Sequence, residues 1–159
     1  MISIEIQKNA CQWPSTEVLY DWCEKALNAA IKELSLQNIN SELSVVFTDD
    51  ASIKSLNARW RHKDKATNVL SFPTKSLKIG EQPGPFLGDI ILAYETIKQE
   101  ALLAHKTFEE HVIHLFIHGF LHLLGYDHEC EEDACVQEQC ERDILRHLSI
   151  EDPYKIREL

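Results

Sequence analysis

The stretch His118-Gly119-Phe120-Leu121-His122-Leu123-Leu124-Gly125-Tyr126-Asp127-His128 holds three histidines at a spacing that can close around one metal ion. On a helix, His118 and His122 project from one face, one turn apart. Gly125 can end that helix in a left-handed conformation, so that the chain turns back and presents His128 to the same ion. Three imidazoles leave a fourth coordination position open for water, as in catalytic zinc sites. We therefore predict that His118, His122 and His128 bind one zinc ion, although copper, nickel, iron and cobalt also accept imidazole.

The neighbours of the first two histidines are mostly apolar: Ile113, Leu115, Phe116, Ile117, Leu121, Leu123 and Leu124. Burying two imidazoles among them without a ligand would leave polar groups unpaired, which costs free energy. A single histidine on a helix is usually a packed or solvated side chain. Three histidines in one short window favour a metal site instead.

The spacing also matches the long zincin pattern His-Glu-x-x-His-x-x-Gly-x-x-His, with one departure. Gly119 stands where the metalloproteases have the glutamate that takes a proton from the zinc-bound water. The methionine turn of the metzincins has no counterpart, because Met1 is the only methionine in the chain. A peptidase is therefore the least favoured of the metal-dependent activities.

The histidine stretch resembles the signature of the YbeY family, the bacterial rRNA maturation endoribonucleases. Residues 56–73, 87–90 and 151–154 resemble further motifs of that family, so the likeness runs from about Leu43 to the C-terminus. Two positions depart from the family pattern: Trp60 stands where tyrosine is expected, and Asn68 where aspartate is common.

The resemblance implies a zinc-dependent endoribonuclease that prefers single strands and acts in rRNA maturation and ribosome quality control. It implies RNA as substrate, the ribosome or ribosomal proteins as partners, and an α+β fold that is zincin-like around the metal helix. It also implies a functional arginine at Arg61. A guanidinium there can bind a phosphate through two parallel hydrogen bonds and stabilise the charge that builds up during phosphodiester cleavage.

Four further residues are candidates for the site. His114 lies one turn before His118 and is a candidate hydrogen-bond donor beside the metal or a proton carrier, although a core or rim histidine held by a backbone carbonyl is the slightly favoured alternative. Arg59 and Lys63 flank Arg61 and are candidates for substrate contact, as is the hydroxyl of Ser71. With Gly119 in place of the protease carboxylate, the general base stays unassigned between His114 and a metal-bound hydroxide.

The charge distribution is uneven. The chain has a net charge of −10, which by itself disfavours a polyanionic substrate. Residues 59–78, however, contain six basic residues and one acidic residue, Asp64. The net charge of this segment is +5, and that of the rest of the chain is −15. The basic stretch is either one contact surface for RNA or a solvated loop, and the family resemblance favours RNA.

Apolar periodicity predicts four strands and five helices along the chain. The strands cover about 2–6, 43–47, 67–72 and 89–93, and four of the helices begin at about Ser15, Tyr94, Phe108 and Glu132. Asp49 or Asp50 can cap the fifth, and Thr107 and Glu110 form a capping-box signature before Phe108. Residues 74–87 contain two glycines and two prolines and predict a loop. We expect one α+β domain over residues 1–159, with a small mixed sheet of about four strands and helices around it.

Other features concern location and redox state. No apolar run approaches the ~18 residues that span a membrane. At the start of the chain, apolar and polar residues alternate as in a strand, and the basic and apolar regions of a signal peptide are absent. We therefore expect a cytoplasmic protein without membrane contact. The five cysteines are an odd number, so a disulfide framework is not expected.

Two alternatives to the ribonuclease remain open. The first is a metallohydrolase of a small phosphoester or amide, for which the basic stretch would be incidental. The second is a ribosome-associated assembly factor with a structural metal, which the open coordination position disfavours because structural zinc usually has four protein ligands.

Overall fold

The computed structural model describes residues 1–127 and 130–154, and within them four strands and five helices form. The strands are β1 (Ile2–Lys8), β2 (Ser41–Thr48), β3 (Val69–Pro73) and β4 (Phe86–Ala93). The helices are α1 (Thr16–Leu34), α2 (Asp50–Arg61), α3 (Tyr94–Leu103), α4 (Phe108–Leu123) and α5 (Glu131–Arg146). The predicted α+β class, with a mixed sheet surrounded by helices, is confirmed.

The strands form one sheet in the order β1-β2-β4-β3. β1 and β4 both lie parallel to β2, whereas β3 lies antiparallel to β4 at the edge of the sheet. Side chains alternate between the two faces, so that Leu43, Val45 and Phe47 of β2 are fully buried on one face. The same alternation puts Ser71 and Ile90, which are register partners, on the face that receives α4.

Two apolar clusters hold the helices to the sheet. The larger one joins α1, α4 and α5 to one face, which includes Ile90 and Leu92 of β4. The smaller one joins Ile53 of α2 to Ile91 and Ala93, the alternate residues of β4, on the opposite face. Helix α4 therefore packs against β3 and β4 of the sheet and against the neighbouring helices α1 and α5.

Most helix starts agree with their predicted caps. The Asp49 carboxylate accepts from the Ser52 amide at 2.8 Å, which selects Asp49 over Asp50 as the cap of α2. The hydroxyl of Thr107 accepts from the Glu110 amide at 3.1 Å and donates to the Glu110 carboxylate at 2.8 Å. This capping box begins α4 at the predicted residue, Phe108.

Several boundaries differ from the prediction by one to three residues, among them the starts of two strands. Strand β4 begins at Phe86 rather than at Asp89, because Phe86 pairs with Glu42 across a β-bulge, so the loop predicted to end at residue 87 is shorter. Strand β3 begins at Val69 rather than at Thr67. It includes Pro73, which an edge strand tolerates because no neighbour needs its missing N–H.

Among the helices of residues 1–127 and 130–154, none has the length and apolar character that a membrane crossing requires.

Candidate metal centre

His118 and His122 lie one turn apart on the last two turns of α4, and their side chains are only partly buried. Between and before them, the helix buries Ile117, Phe120 and Leu121 completely. The apolar residues thus fix the rotation of the helix, and the rotation directs both imidazoles toward the same opening. The sequence expectation of a common face is confirmed by a distance of 4.6 Å between the two ring centroids.

The Nδ1 atom of each ring has an acceptor within reach. His122 Nδ1 lies 2.9 Å from the backbone oxygen of Tyr126, and His118 Nδ1 lies 3.1 Å from Glu141 Oε2. A carbonyl or carboxylate oxygen only accepts hydrogen bonds, so each of these contacts is a hydrogen bond when Nδ1 carries the proton and donates. In that tautomer the lone pair of the ring is on Nε2.

The two Nε2 atoms face one another at 3.1 Å. Two lone pairs at this separation repel unless a proton or a cation lies between them. A tetrahedral zinc ion with Zn–N bonds of about 2.0–2.1 Å places its ligand nitrogens about 3.3 Å apart. His118 and His122 thus fit one metal ion in separation and donor type.

His128, the third predicted ligand, lies outside the described residues. Within residues 1–127 and 130–154, no three side chains of histidine, cysteine, aspartate or glutamate converge as a complete metal site. The pair His118 and His122 is the part of the predicted ligand set that the structure describes.

Gly119 lies against strand β3 at the point where a protease would have its glutamate. A Cβ at this glycine would lie 2.9 Å from Ser71 Oγ and 3.1 Å from Ile90 Cγ2. Both distances are shorter than an ordinary van der Waals contact, so a longer side chain requires Ser71 to rotate and Ile90 to give by a few tenths of an ångström. The close packing of α4 on the sheet therefore favours glycine at this position.

The two imidazoles open into a cleft of about 560 Å³ between the end of α2, strand β3 and the end of α4. Its lining includes Arg61, Asn68, Ser71, Leu77, His118, His122 and Asp127. Arg61 and Ser71, two of the predicted site residues, are thus brought into one cleft with the histidine pair. Arg59 and Lys63 are exposed but are not among the described residues that line it.

Gly125 ends α4 in the predicted left-handed region, with a φ of +102°. A Cβ there would collide with the backbone of Leu77 and Lys78, because the loop after β3 lies directly against this turn. Gly125 and Leu77 form one wall of the cleft.

His114 is not among the described residues that line the cleft. It is 8% exposed, and its Nε2 lies 2.6 Å from Glu141 Oε1. Burial lowers the pKa of His114, although the hydrogen bond to Glu141 opposes the shift, so the ring is neutral near pH 7. The partner is a carboxylate rather than the backbone carbonyl considered as an alternative.

Glu141 is a site residue that sequence reasoning missed. It is fully buried on α5, and its carboxylate contacts His114, His118 and the hydroxyl of Tyr154, which donates to Oε1 at 2.7 Å. Burial alone would raise the pKa of Glu141, but the hydrogen bonds from His114 and His118 outweigh it and lower the pKa to about 2. An ionised carboxylate therefore lies directly behind His118.

Comparison with known proteins places these features in a family. The family model described as "Endoribonuclease YbeY" matches residues 3–149. A protein of that name from Bartonella quintana is 51% identical over 154 residues, which cover 97% of this chain and 98% of the relative. One from Rhizobium leguminosarum bv. trifolii is 46% identical over 164 residues and covers 99% and 96%.

A solved structure gives the same result for the fold. The solution structure of a protein from Thermotoga maritima matches with a TM-score of 0.56 and 26% identity, over 98% of this chain and all of that one. The fold and the paired imidazoles define a small α+β protein with a histidine-bearing helix packed on a mixed sheet. The chain belongs to the YbeY family.

Proposed function

We propose that this protein is a zinc-dependent endoribonuclease that cuts single-stranded RNA in the cleft between α2, β3 and α4. The observation that carries the proposal is the 3.1 Å approach of the His118 and His122 Nε2 atoms in a cleft that also contains Arg61. Relatives over nearly the whole chain carry the name endoribonuclease, which supports RNA as the substrate. In this proposal His128 completes the ligand set.

Zinc bound by these histidines would supply a Lewis acid that polarises a phosphoryl oxygen or activates a water. The histidines themselves orient the ion, because their Nδ1 sides are fixed by Glu141 and by the Tyr126 carbonyl. His114 acts behind His118 through their shared contact with Glu141, rather than on the RNA directly.

Arg61 is the proposed phosphate-binding residue. It lies at the end of α2, exposed in the cleft, and no ion pair with another described residue occupies its guanidinium. A cation in this position stabilises the charge that develops on the phosphoryl oxygens. Ser71, across the cleft, offers a hydroxyl to the same RNA, and Arg59 and Lys63 add positive charge on the approach to the cleft.

The biological setting follows the family. We propose that the RNA is ribosomal, that the protein acts in rRNA maturation and quality control with the ribosome or ribosomal proteins as partners, and that it works in the cytoplasm as one domain over residues 1–159. The cleft is polar and open along β3, which suits a chain-like substrate better than a small phosphoester. The assembly-factor alternative differs in predicting no RNA cleavage at all.

The decisive experiment measures cleavage of an end-labelled single-stranded RNA by wild-type protein and by His118→Ala, with His147→Ala as a matched control. His147 pairs with Glu33 at 3.0 Å and is not among the residues that line the cleft. We expect cleavage by wild type and by His147→Ala, and none by His118→Ala. A chelator should abolish the activity, and zinc should restore it.

Equal cleavage by wild type and His118→Ala would show a contaminating nuclease and overturn the proposal. Cleavage of small phosphodiesters in preference to RNA, measured in competition, would replace it with the metallohydrolase alternative. Absence of cleavage by zinc-loaded wild type on naked RNA and on ribosomal subunits would leave the assembly-factor alternative as the better account.

A further inference from the structure

The carboxylate of Glu141 lies at the meeting point of three donors that come from different parts of the chain. His114 and His118 belong to α4, and Tyr154 belongs to the segment after α5. Two donors share Oε1, at 2.6 and 2.7 Å, while His118 Nδ1 is the donor to Oε2, at 3.1 Å. A fully buried carboxylate of this kind is stable only while its hydrogen bonds are made.

A second side chain on α5 competes for His118. The amide Nε2 of Gln137 lies 3.2 Å from His118 Nδ1 and 3.3 Å from the backbone oxygen of His118. An amide N–H can only donate, so a bond from Gln137 to Nδ1 would require the proton of the imidazole to be on Nε2. Glu141 and Gln137 therefore favour opposite tautomers of the same ring.

The two tautomers differ in what they allow at the cleft. A proton on Nδ1 leaves the Nε2 lone pair free to bind a metal, whereas a proton on Nε2 blocks it. The charged acceptor makes the stronger hydrogen bond, and the Gln137 amide keeps the backbone oxygen of His118 as an acceptor at 3.3 Å when Nδ1 donates to Glu141. The balance favours Glu141.

We propose that Glu141 is a positioning residue that holds His118 in the Nδ1-protonated tautomer against the competing Gln137 amide, and so keeps its Nε2 available for the metal. Tyr154 supports it from the C-terminal segment. Arg142 places that segment, because its Nε donates to Asp152 at 3.0 Å and its guanidinium lies 5.4 Å from the centre of the Tyr154 ring. This inference rests on the proposed function for its metal, but its first readout does not require one.

The test reads the tautomer of His118 directly. Long-range ¹H–¹⁵N correlation spectra of metal-free protein labelled with ¹⁵N-histidine distinguish a protonated Nδ1 from a protonated Nε2. We expect Nδ1–H in wild type and in Gln137→Ala, and Nε2–H in Glu141→Gln, whose amide can donate to Nδ1. Zinc affinity, measured by competition with a chelating dye, should fall about 10- to 100-fold in Glu141→Gln and stay unchanged in Gln137→Ala.

An Nε2–H tautomer of His118 in the metal-free wild-type protein would overturn the proposal. Because this measurement needs no variant, the proposal remains testable even if Glu141→Gln fails to fold. A Glu141→Gln protein that keeps both the Nδ1–H tautomer and wild-type zinc affinity would also overturn it. Wild type with the expected tautomer and zinc affinity but without RNA cleavage would count against the proposed function alone.

A different observation concerns Trp60. The chain has three tryptophans, of which Trp13 and Trp22 are 2% and 9% exposed, whereas Trp60 is 63% exposed. No ring or cation contact to another described residue engages the Trp60 indole. It stands on α2 between Arg59 and Arg61, within the stretch of residues 59–78 that carries +5.

An exposed indole among cations is the combination that binds single-stranded nucleic acid, because the cations contact the backbone and the ring stacks on a base. Successive helix residues point about 100° apart, so Trp60 and Arg61 cannot meet the same group of the RNA. We infer that Trp60 stacks on a base next to the phosphate that Arg61 contacts. This subsite also rests on the proposed function.

Tryptophan fluorescence tests it, with a short oligouridine as the probe and a chelator present to keep the RNA intact. We expect quenching in wild type but not in Trp60→Phe, whose remaining tryptophans are buried.

By anisotropy of labelled oligouridine, Trp60→Ala should bind about 5- to 100-fold more weakly. Tyr20→Ala, which removes an exposed aromatic ring on α1, should bind like wild type. Binding by wild type without quenching, or unchanged affinity in Trp60→Ala, would overturn the subsite and leave the nuclease proposal intact.

Discussion

The amide of Asn68 donates to the carboxylate of Glu100, at 3.0 Å to Oε1 and 3.3 Å to Oε2. The same carboxylate contacts His111 Nε2 at 2.9 Å. Burial would raise the pKa of Glu100, but the hydrogen bonds from His111 and Asn68 outweigh it and lower the pKa. Asn68 thus stabilises an ionised glutamate in this chain.

The first prediction is that Asn68→Asp destabilises the protein at pH 7, on the order of 1 kcal/mol because Glu100 is 40% exposed and partly screened. The variant replaces a donor with a second carboxylate, which raises the pKa of the pair. Its cost should therefore shrink as the pH falls and a proton binds between the carboxylates. Urea unfolding of wild type and variant at pH 7 and pH 5 measures the difference. A cost that grows toward pH 5 would contradict the assignment.

The Glu100 carboxylate also makes the free energy of unfolding of the wild-type protein depend on pH. A lowered folded-state pKa means that Glu100 contributes stability above its unfolded pKa and loses it as the pH falls through the folded value. Asn68→Ala, which removes the donor without adding charge, is the control that separates these two effects.

The second prediction concerns the contact between α4 and β3. Gly119→Glu should lower the free energy of unfolding by more than about 2 kcal/mol, since the side chain must displace the helix from Ser71 and Ile90 or bury a charge. The matched control is Gly84→Glu, where a Cβ meets no atom within 4 Å and the change should be within about 0.5 kcal/mol. Denaturant unfolding of both variants measures this. Equal effects at the two glycines would refute the steric account.

The third prediction separates phosphate binding from metal binding. Arg61→Glu should keep zinc affinity, because its side chain is not among the predicted ligands, but lose RNA cleavage, because it puts a negative charge where the phosphate binds. Arg61→Lys should retain part of the activity, since an ammonium keeps the charge but not the paired hydrogen bonds.

The control for Arg61 is Lys25→Glu, the same charge reversal on α1, where Lys25 pairs with Asp21 at the surface. Zinc binding and RNA cleavage are measured on all three variants. Cleavage by Arg61→Glu at the rate of Lys25→Glu would remove Arg61 from its proposed role.

The fourth prediction concerns the thiols. Burial raises the pKa of Cys23 to about 12, so its thiolate is scarce at pH 8, whereas Cys11, Cys130 and Cys135 are exposed. A short pulse of iodoacetamide should alkylate the three exposed cysteines in native protein and Cys23 only after unfolding. Peptide mass spectrometry reports each site. Alkylation of Cys23 at the rate of Cys11 in native protein would show that the α1 interface opens readily.

Sequence periodicity predicted the parts of the site that depend on local geometry. The spacing of His118 and His122 predicts their common face because both residues belong to one helix, and the Thr107 and Glu110 pair predicts where that helix begins. Gly125 predicts the turn because a positive φ favours glycine.

The parts that depend on packing between distant segments were not predicted. Glu141 is 23 residues from His118 on another helix, and periodicity shows which face of a helix is buried but not which helix it meets. A signal was nevertheless present. Gln137 and Glu141 occupy the same stripe of α5 as Ile144 and Leu145, and an acid at such a position is rarely buried without a partner.

The nearest atoms that a Cβ at Gly125 would meet belong to the backbone of Leu77 and Lys78. This close approach at the cleft wall is therefore made by main-chain atoms, which any residue at these two positions provides. Substitutions at Leu77 can change the chemistry presented to a bound nucleotide while the wall stays where it is. Natural variation or directed evolution can thus retune substrate preference at Leu77, whereas Gly125 has little freedom to vary.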